Sequence, residues 1–135
     1  MSSSSQDCGF PKEERLCSQR LIDELFAHGG RLLVFPYSVR YCIYPAGKLP
    51  RPAQVLVVAP KRKLHYAVDR NRVKRISREA YRRAKSPLVG KLQELGFSMT
   101  IALSYVHDKP LPYDKVCIKM AKVIEQLSIL LVPSN

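Results

Sequence analysis

Apolar positions recur along this chain with two different spacings, and the changes from one to the other outline its elements. Between Ser18 and His28, Leu21, Ile22, Leu25 and Phe26 stand at i, i+1, i+4 and i+5, the pattern of a short helix with one apolar side. Ser18 is suited to cap its start and Gly29 to end it, and His28 in the last turn suits a dipole contact better than a metal. Leu32 to Phe35 is a short β-prone run, and Pro36 marks a bend. Tyr37 to Tyr44 then sets Val39, Tyr41 and Ile43 against Ser38, Arg40, Cys42 and Tyr44, the two-residue period of a half-exposed strand. Pro45 to Pro52 is a loop, and the nearly continuous apolar run Gln54 to Ala59 predicts a strand at the centre of a sheet. Phe97 to Tyr105 predicts a further strand, parallel to the Gln54 strand because a helix intervenes. After a turn at His107 to Pro112, a packing helix starts at Tyr113, with Val116, Met120, Val123, Ile124, Leu127 and Leu131 on one stripe.

The intervening helix carries the most information. From about Asp69, its expected N-cap, to the stop at Ser86-Pro87 it spans about four and a half turns. Val73, Ile76, Ala80 and Ala84 fall within a sector of roughly 80° and predict its core face. Asn71, Arg75, Arg78, Arg82 and Lys85 cluster opposite, with Arg70, Arg72, Lys74 and Arg83 on the flanks. The whole reads as an α+β fold in the order αβββαβα, a small mixed sheet with helices packed on it. Residues 1–10 read as a mobile Ser-rich tail and residues 11–135 as a single domain.

Charge sharpens the picture. The 135 residues carry 23 Lys and Arg against 11 Asp and Glu, a net +12, which points to a polyanionic partner. Between Lys61 and Lys85 there are 11 basic and 2 acidic residues, so +9 of the excess sits in 25 residues. Like charges on one helix face repel by a few tenths of a kcal/mol per pair, a cost that bound phosphates would offset.

Several chemistries are excluded. The four cysteines, Cys8, Cys17, Cys42 and Cys117, form no CxxC pair and read as free thiols of a reducing cytoplasm. No glycine-rich phosphate loop occurs, and His28, His65 and His107 are too dispersed for a metal cluster or a nucleophile and base pair. Glu13-Glu14 and Asp23-Glu24 read as surface charge, so no converging carboxylates suggest a protein-only nuclease. No apolar run approaches the roughly 20 residues of a bilayer span, and Met1 to Ser5 lacks the basic and apolar stretches of a secretion signal. The expectation is a cytoplasmic nucleic-acid binder with no membrane association, no catalytic residues and no metal ligands of its own.

The segment Ala67-Val68-Asp69-Arg70-Asn71-Arg72-Val73-Lys74-Arg75, continuing through Arg78-Glu79-Ala80-Tyr81-Arg82, resembles the signature of the bacterial ribonuclease P protein family. Arg15-Leu16, Phe26-Ala27-His28-Gly29 and Pro60-Lys61-Arg62 extend the likeness more weakly. The resemblance implies a basic helix that crosses between two parallel strands, with the left-handed connection that most folds avoid. It also implies a protein that assists a catalytic RNA subunit. That RNA, with magnesium bound mainly by itself, removes the 5′ leader of precursor tRNA by endonucleolytic hydrolysis.

On the same resemblance Arg70, Asn71, Arg72, Lys74, Arg75 and Arg78, together with Arg82, Lys61 and Arg62, would contact RNA. Arg offers bidentate donors for phosphate, and Asn adds a donor and an acceptor. A cleft beside the first helix would hold the single-stranded leader, with Phe26 and Tyr41 as its stacking surfaces. The sequence departs from the family pattern at Ile22, where an aromatic is common, and at Pro60-Lys61-Arg62-Lys63 and His65-Tyr66, which replace Ser-Lys-Lys and a glycine. The competing readings are a structural, ribosome-associated RNA-binding protein and a DNA-binding transcription factor. The last is weakened by the lack of a helix-turn-helix or zipper, and no DNA partner is expected.

Overall fold

Ser18 caps the first element as its position predicts: its hydroxyl accepts the Leu21 N–H at 3.4 Å, opening helix α1 at Gln19–His28. In the computed structural model, which describes residues 14–131, α1 leads into the strands β1 (Gly30–Val34), β2 (Tyr37–Pro45) and β3 (Ala53–Val58). Helices α2 (Ala67–Ala84) and α3 (Ser86–Leu95), strand β4 (Phe97–Tyr105) and helix α4 (Tyr113–Leu130) complete the α+β fold. The Ser-rich segment 1–10 lies outside the described residues. The turn from α1 into β1 requires Gly29, because a Cβ there would lie 2.3 Å from the Leu25 carbonyl oxygen.

The four strands lie in the order β1-β2-β4-β3, antiparallel except for the β3–β4 pair, which is parallel as expected. The expected central place of the Gln54 strand is corrected: β3 is at the edge, and β4 is inside, between β2 and β3. Its continuous apolar character has another cause. The segment before α1 lies along its outer side, with Leu16 N–H donating to the Val55 carbonyl at 2.9 Å and Arg15 bridging Val55 in parallel. Both faces of β3 are also covered, so Val55 and Val57 are buried toward one side and Gln54 and the half-buried Leu56 face the other.

A helix absent from the sequence-based order separates α2 from β4. The basic helix ends near Ser86-Pro87 as predicted, but Pro87 then lies in the first turn of α3, where its missing N–H costs nothing. Leu88 and Leu92 are buried from α3, and Gly96 ends it in the left-handed conformation at φ 79°. The order is therefore αβββααβα, and the β3–β4 connection contains two helices.

The start and the core face of α2 also differ from expectation. The helix begins at Ala67 with Tyr66 as N-cap and no side-chain cap, so Asp69 lies inside the first turn, where its carboxylate still favours the positive helix end. Val73, Ser77, Ala80 and Tyr81 form the buried stripe, while Ile76 and Ala84 are half-buried at its margin. Burial of the large Tyr81 ring turns the stripe toward it and leaves Ile76 at the opposite margin.

The sheet separates a main core, shared with α2, α3 and α4, from a smaller one under α1. Met99, Ile101, Leu103 and Tyr105 of β4 join the main core, and Ala102 meets Leu16 and Leu25 on the α1 side. Tyr37 of β2 is fully buried and hydrogen-bonded to the Ser77 hydroxyl of α2, tying the basic helix to the sheet. Burial pushes its phenol up to about 12 and also raises those of Tyr81 and Tyr105. These folded-state values stand above that of the free phenol, so the stabilisation is complete below pH 10 and is lost as pH rises toward 12. Urea titrations should show stability falling over that interval. Tyr37→Phe, which strands the Ser77 hydroxyl, should cost about 1–2 kcal/mol at neutral pH and make the alkaline decline shallower.

Candidate nucleic-acid interface

The chain leaves β3 through a tight turn in which the Pro60 carbonyl accepts from the N–H groups of Lys63 and Leu64, at 3.1 and 3.0 Å. Leu64 is buried and anchors the turn, so Lys61, Arg62 and Lys63 are left exposed at its outside. His65 and Tyr66 are exposed as well, and α2 follows directly. Arg70, in the first turn and a half of α2, reaches back to this connection. Its Nη1 donates to the Leu64 and His65 carbonyls at 2.9 and 3.0 Å, so Arg70 fixes the turn against the helix. This contact ties the stretch that departs from the family pattern, Pro60 to Tyr66, to the signature helix.

The other cations of α2 fall into two groups. Arg82 binds Glu79 through two hydrogen bonds, at 3.1 and 2.5 Å, and these bonds hold the Glu79 carboxyl below the usual carboxylate range. Lys85 pairs with Glu14 of the segment before α1, and Arg78 is half-buried with an intramolecular partner. Asn71, Arg72 and Arg75 are exposed and Lys74 is half-buried. Among the described residues none of Arg72, Lys74 and Arg75 makes an ion pair. Apart from the exposed Arg83 in the last turn, the unneutralised charge therefore gathers on the N-terminal half of α2 and on the Lys61–Lys63 turn beside it.

The structure does not bring Phe26 and Tyr41 together. Alternation along β2 sends Ser38, Arg40, Cys42 and Tyr44 toward α1 and Tyr41 the other way, where it packs at the margin of the main core. The Tyr41 ring lies over Gly30, at which a Cβ would come within 2.3 Å of it. Phe26 is 39% exposed, and its neighbour is Arg40. The Arg40 Nη1 donates to the Phe26 carbonyl at 2.9 Å, and its guanidinium carbon lies 5.8 Å from the ring centroid. Arg40 is the residue that sequence reasoning missed; its place in the polar half of the β2 alternation was the available signal. Ile22 joins the small core under α1, and the Tyr44 hydroxyl donates to Glu24 at 2.9 Å. Among the described residues no three His, Cys, Asp or Glu side chains converge on a point where a metal could sit.

A family model described as Ribonuclease P matches residues 10–126. The chain belongs to the ribonuclease P protein family. Among its relatives, the ribonuclease P protein component of Porphyromonas gingivalis is 40% identical over 103 residues, spanning 75% of this chain and 73% of that protein. That of Chlorobaculum tepidum is 37% identical over 97 residues, 68% of this chain and 61% of that protein. Solved structures share the fold at lower identity. The RNase P protein of Staphylococcus aureus superposes with a TM-score of 0.63 at 16% identity, covering 85% of this chain and 95% of that one. The RNase P protein of Thermotoga maritima does so with a TM-score of 0.58 at 19% identity, covering 84% and 96%.

Within this ribonuclease P family member, the signature segment divides between two tasks. Arg70 organises the turn, and Arg72 and Arg75 stand free in solvent. Arg70→Ala should speed amide hydrogen exchange at Lys63 and Leu64, whereas Arg75→Ala should leave those amides at the wild-type rate.

Proposed function

We propose that this chain is the protein subunit of ribonuclease P. It binds the catalytic RNA through the N-terminal half of α2 and the Lys61–Lys63 turn, and it helps hold the 5′ leader of precursor tRNA beside α1. The RNA cleaves the phosphodiester. The observation that carries this reading is the patch formed by Lys61, Arg62, Lys63, Arg72, Lys74 and Arg75, whose charge no described carboxylate neutralises. Such a surface matches the phosphate pattern of a folded RNA, which is recognised by shape and backbone and not by base edges. Family membership supports the assignment to ribonuclease P and to tRNA processing.

Magnesium, held mainly by the RNA, supplies charge stabilisation for phosphodiester hydrolysis. Arg and Lys cannot ligate it, so in this reading those side chains act by positioning phosphates. No helix among the described residues is long and apolar enough to cross a membrane. We assign the chain to the cytoplasm, where precursor tRNA is processed.

Reconstitution tests the proposal: the chain mixed with a candidate catalytic RNA at low magnesium should accelerate leader removal. Binding of that RNA without any effect on cleavage would instead mark a structural RNA-binding protein. Replacing Arg72 and Arg75 by Ala should weaken assembly and reduce the slope of log affinity against log salt by about one unit per lost phosphate contact. Phe26→Ala should weaken precursor tRNA binding by about 1–3 kcal/mol while leaving mature tRNA binding nearly unchanged; equal loss for both would remove Phe26 from the leader cleft.

A further inference from the structure

The sheet has two edges, and among the described residues the fold closes only one of them. Along β3 runs the segment before α1, held there by the Leu16 N–H on the Val55 carbonyl. Strand β1 forms the other edge. It pairs with β2 alone, and its outer N–H and C=O groups meet no backbone partner among the described residues. None of Gly30 to Val34 is buried. Leu33, and Phe35 just past the strand, are 69% and 51% exposed, so apolar surface accompanies the open backbone. An edge of this kind is a template for one more strand.

Cations border this edge. Helix α4 packs on β1 and α2 packs on β3, so the flank of α4 turned away from α2 looks toward the β1 edge. The flank turned toward α2 and α3 carries Ala121, Glu125 and Ser128, which share a groove with Arg83 and Pro87, and the Ser128 carbonyl accepts from Lys91 at 2.7 Å. Asp114, about three turns before Glu125, stands on that same side. The opposite flank carries Lys115, the half-buried Lys119 and Lys122, at i, i+4 and i+7, with Ile118 exposed beside them. None of these lysines makes an ion pair among the described residues. Both carboxylates of α4 are thus on the wrong side to relieve them.

Backbone and charge together select the occupant. An edge strand presents N–H and C=O groups in alternation, and another peptide backbone answers both. A ribose-phosphate chain offers mainly acceptors and would leave the strand carbonyls facing phosphates. A second copy of this chain would bring a further net +12 and the same lysine row to the seam, which like-charge repulsion opposes. An extended peptide rich in Asp and Glu satisfies the backbone and the lysines at once.

We propose that β1 accepts an extended acidic peptide of a partner protein as a fifth strand of the sheet, with its carboxylates on Lys115, Lys119 and Lys122 and its apolar side chains over Leu33 and Phe35. Main-chain hydrogen bonds supply the affinity, and the lysine row selects acidic sequences. The site extends the sheet outward from β1 and shares no residue with the α2 patch, so it does not depend on the ribonuclease P reading.

The test uses the full chain and a fluorescent peptide of about eight residues in which Glu alternates with Val, long enough to span the strand. Binding should slow amide hydrogen exchange within Gly30–Val34. Successive N–H groups of a strand point to opposite edges, so N-methylation of one alternate set of peptide nitrogens should lower affinity about tenfold, and methylation of the other set should change it less than about twofold. This comparison needs no altered protein. Replacing Lys115, Lys119 and Lys122 together by Gln should weaken peptide binding about tenfold at low salt, a difference that shrinks at high salt, and should leave affinity for the catalytic RNA unchanged. Equal effects of the two methylated sets, or unprotected β1 amides, would overturn the added strand. Parallel loss of peptide and RNA affinity in the lysine variant would make the row an RNA surface and overturn the peptide. A wild-type dimer in sedimentation, with β1 amides already protected and no peptide bound, would give the edge to a second copy.

Discussion

The basic helix can carry unopposed positive charge only because its other side is anchored. Val73, Ala80 and Tyr81 are buried from α2, and Ser77 is hydrogen-bonded to the fully buried Tyr37 of the sheet. Burying side chains of this size stabilises by about 1.5–3 kcal/mol each for the larger ones, whereas like charges on a helix surface cost a few tenths of a kcal/mol per pair. Burial wins, and the helix is formed before any polyanion reaches it. A polyanion that binds such a preformed surface would meet little ordering cost.

The same anchoring sorts the charges. At the C-terminal half of α2, Glu79 takes Arg82 and Glu14 takes Lys85, so these cations are neutralised within the fold. Glu14 belongs to the segment that also lies along the outer side of β3, so one short stretch closes a sheet edge and quiets the end of the helix. At the N-terminal half, Arg70 is used internally to fix the turn, and that turn presents Lys61, Arg62 and Lys63 beside Arg72 and Arg75. The positive patch is therefore smaller than the basic run in the sequence, and it is better defined.

Under the proposed function, a single strand beside α1 and a folded RNA on α2 would meet surfaces of different chemistry. A helix face that carries several cations suits the closely spaced phosphates of a folded RNA. The surface beside α1 combines the Arg40 guanidinium with the Phe26 ring, a mixture that suits an extended chain with accessible bases. Arg40 links that surface to α1 through the Phe26 carbonyl, so the helix and the strand present their functional groups as a unit.

Local pattern was enough for most of the elements. The one-sided spacing of α1, the alternation of β2, the stripe of α4 and the concentration of charge on α2 follow from interactions within a few residues, and so each was legible in the sequence. So was family membership, because the signature lies on one continuous segment. What depended on contacts distant in sequence was not legible. These were the edge position of β3, covered by Arg15 and Leu16, and the choice of Tyr81 over Ile76 as an anchor of α2. Helix α3 was hidden because Pro87 reads as a stop and serves equally as a start. Tyr41 and Phe26 share an aromatic character but not a face of the sheet, and Arg31 meets Arg40 only through the strand register. The sequence by itself determined where charge and apolar surface lie along each element. Only the tertiary structure decided which charges are cancelled and which side chains meet, because pairing across strands and helices is set by packing between residues far apart in the chain.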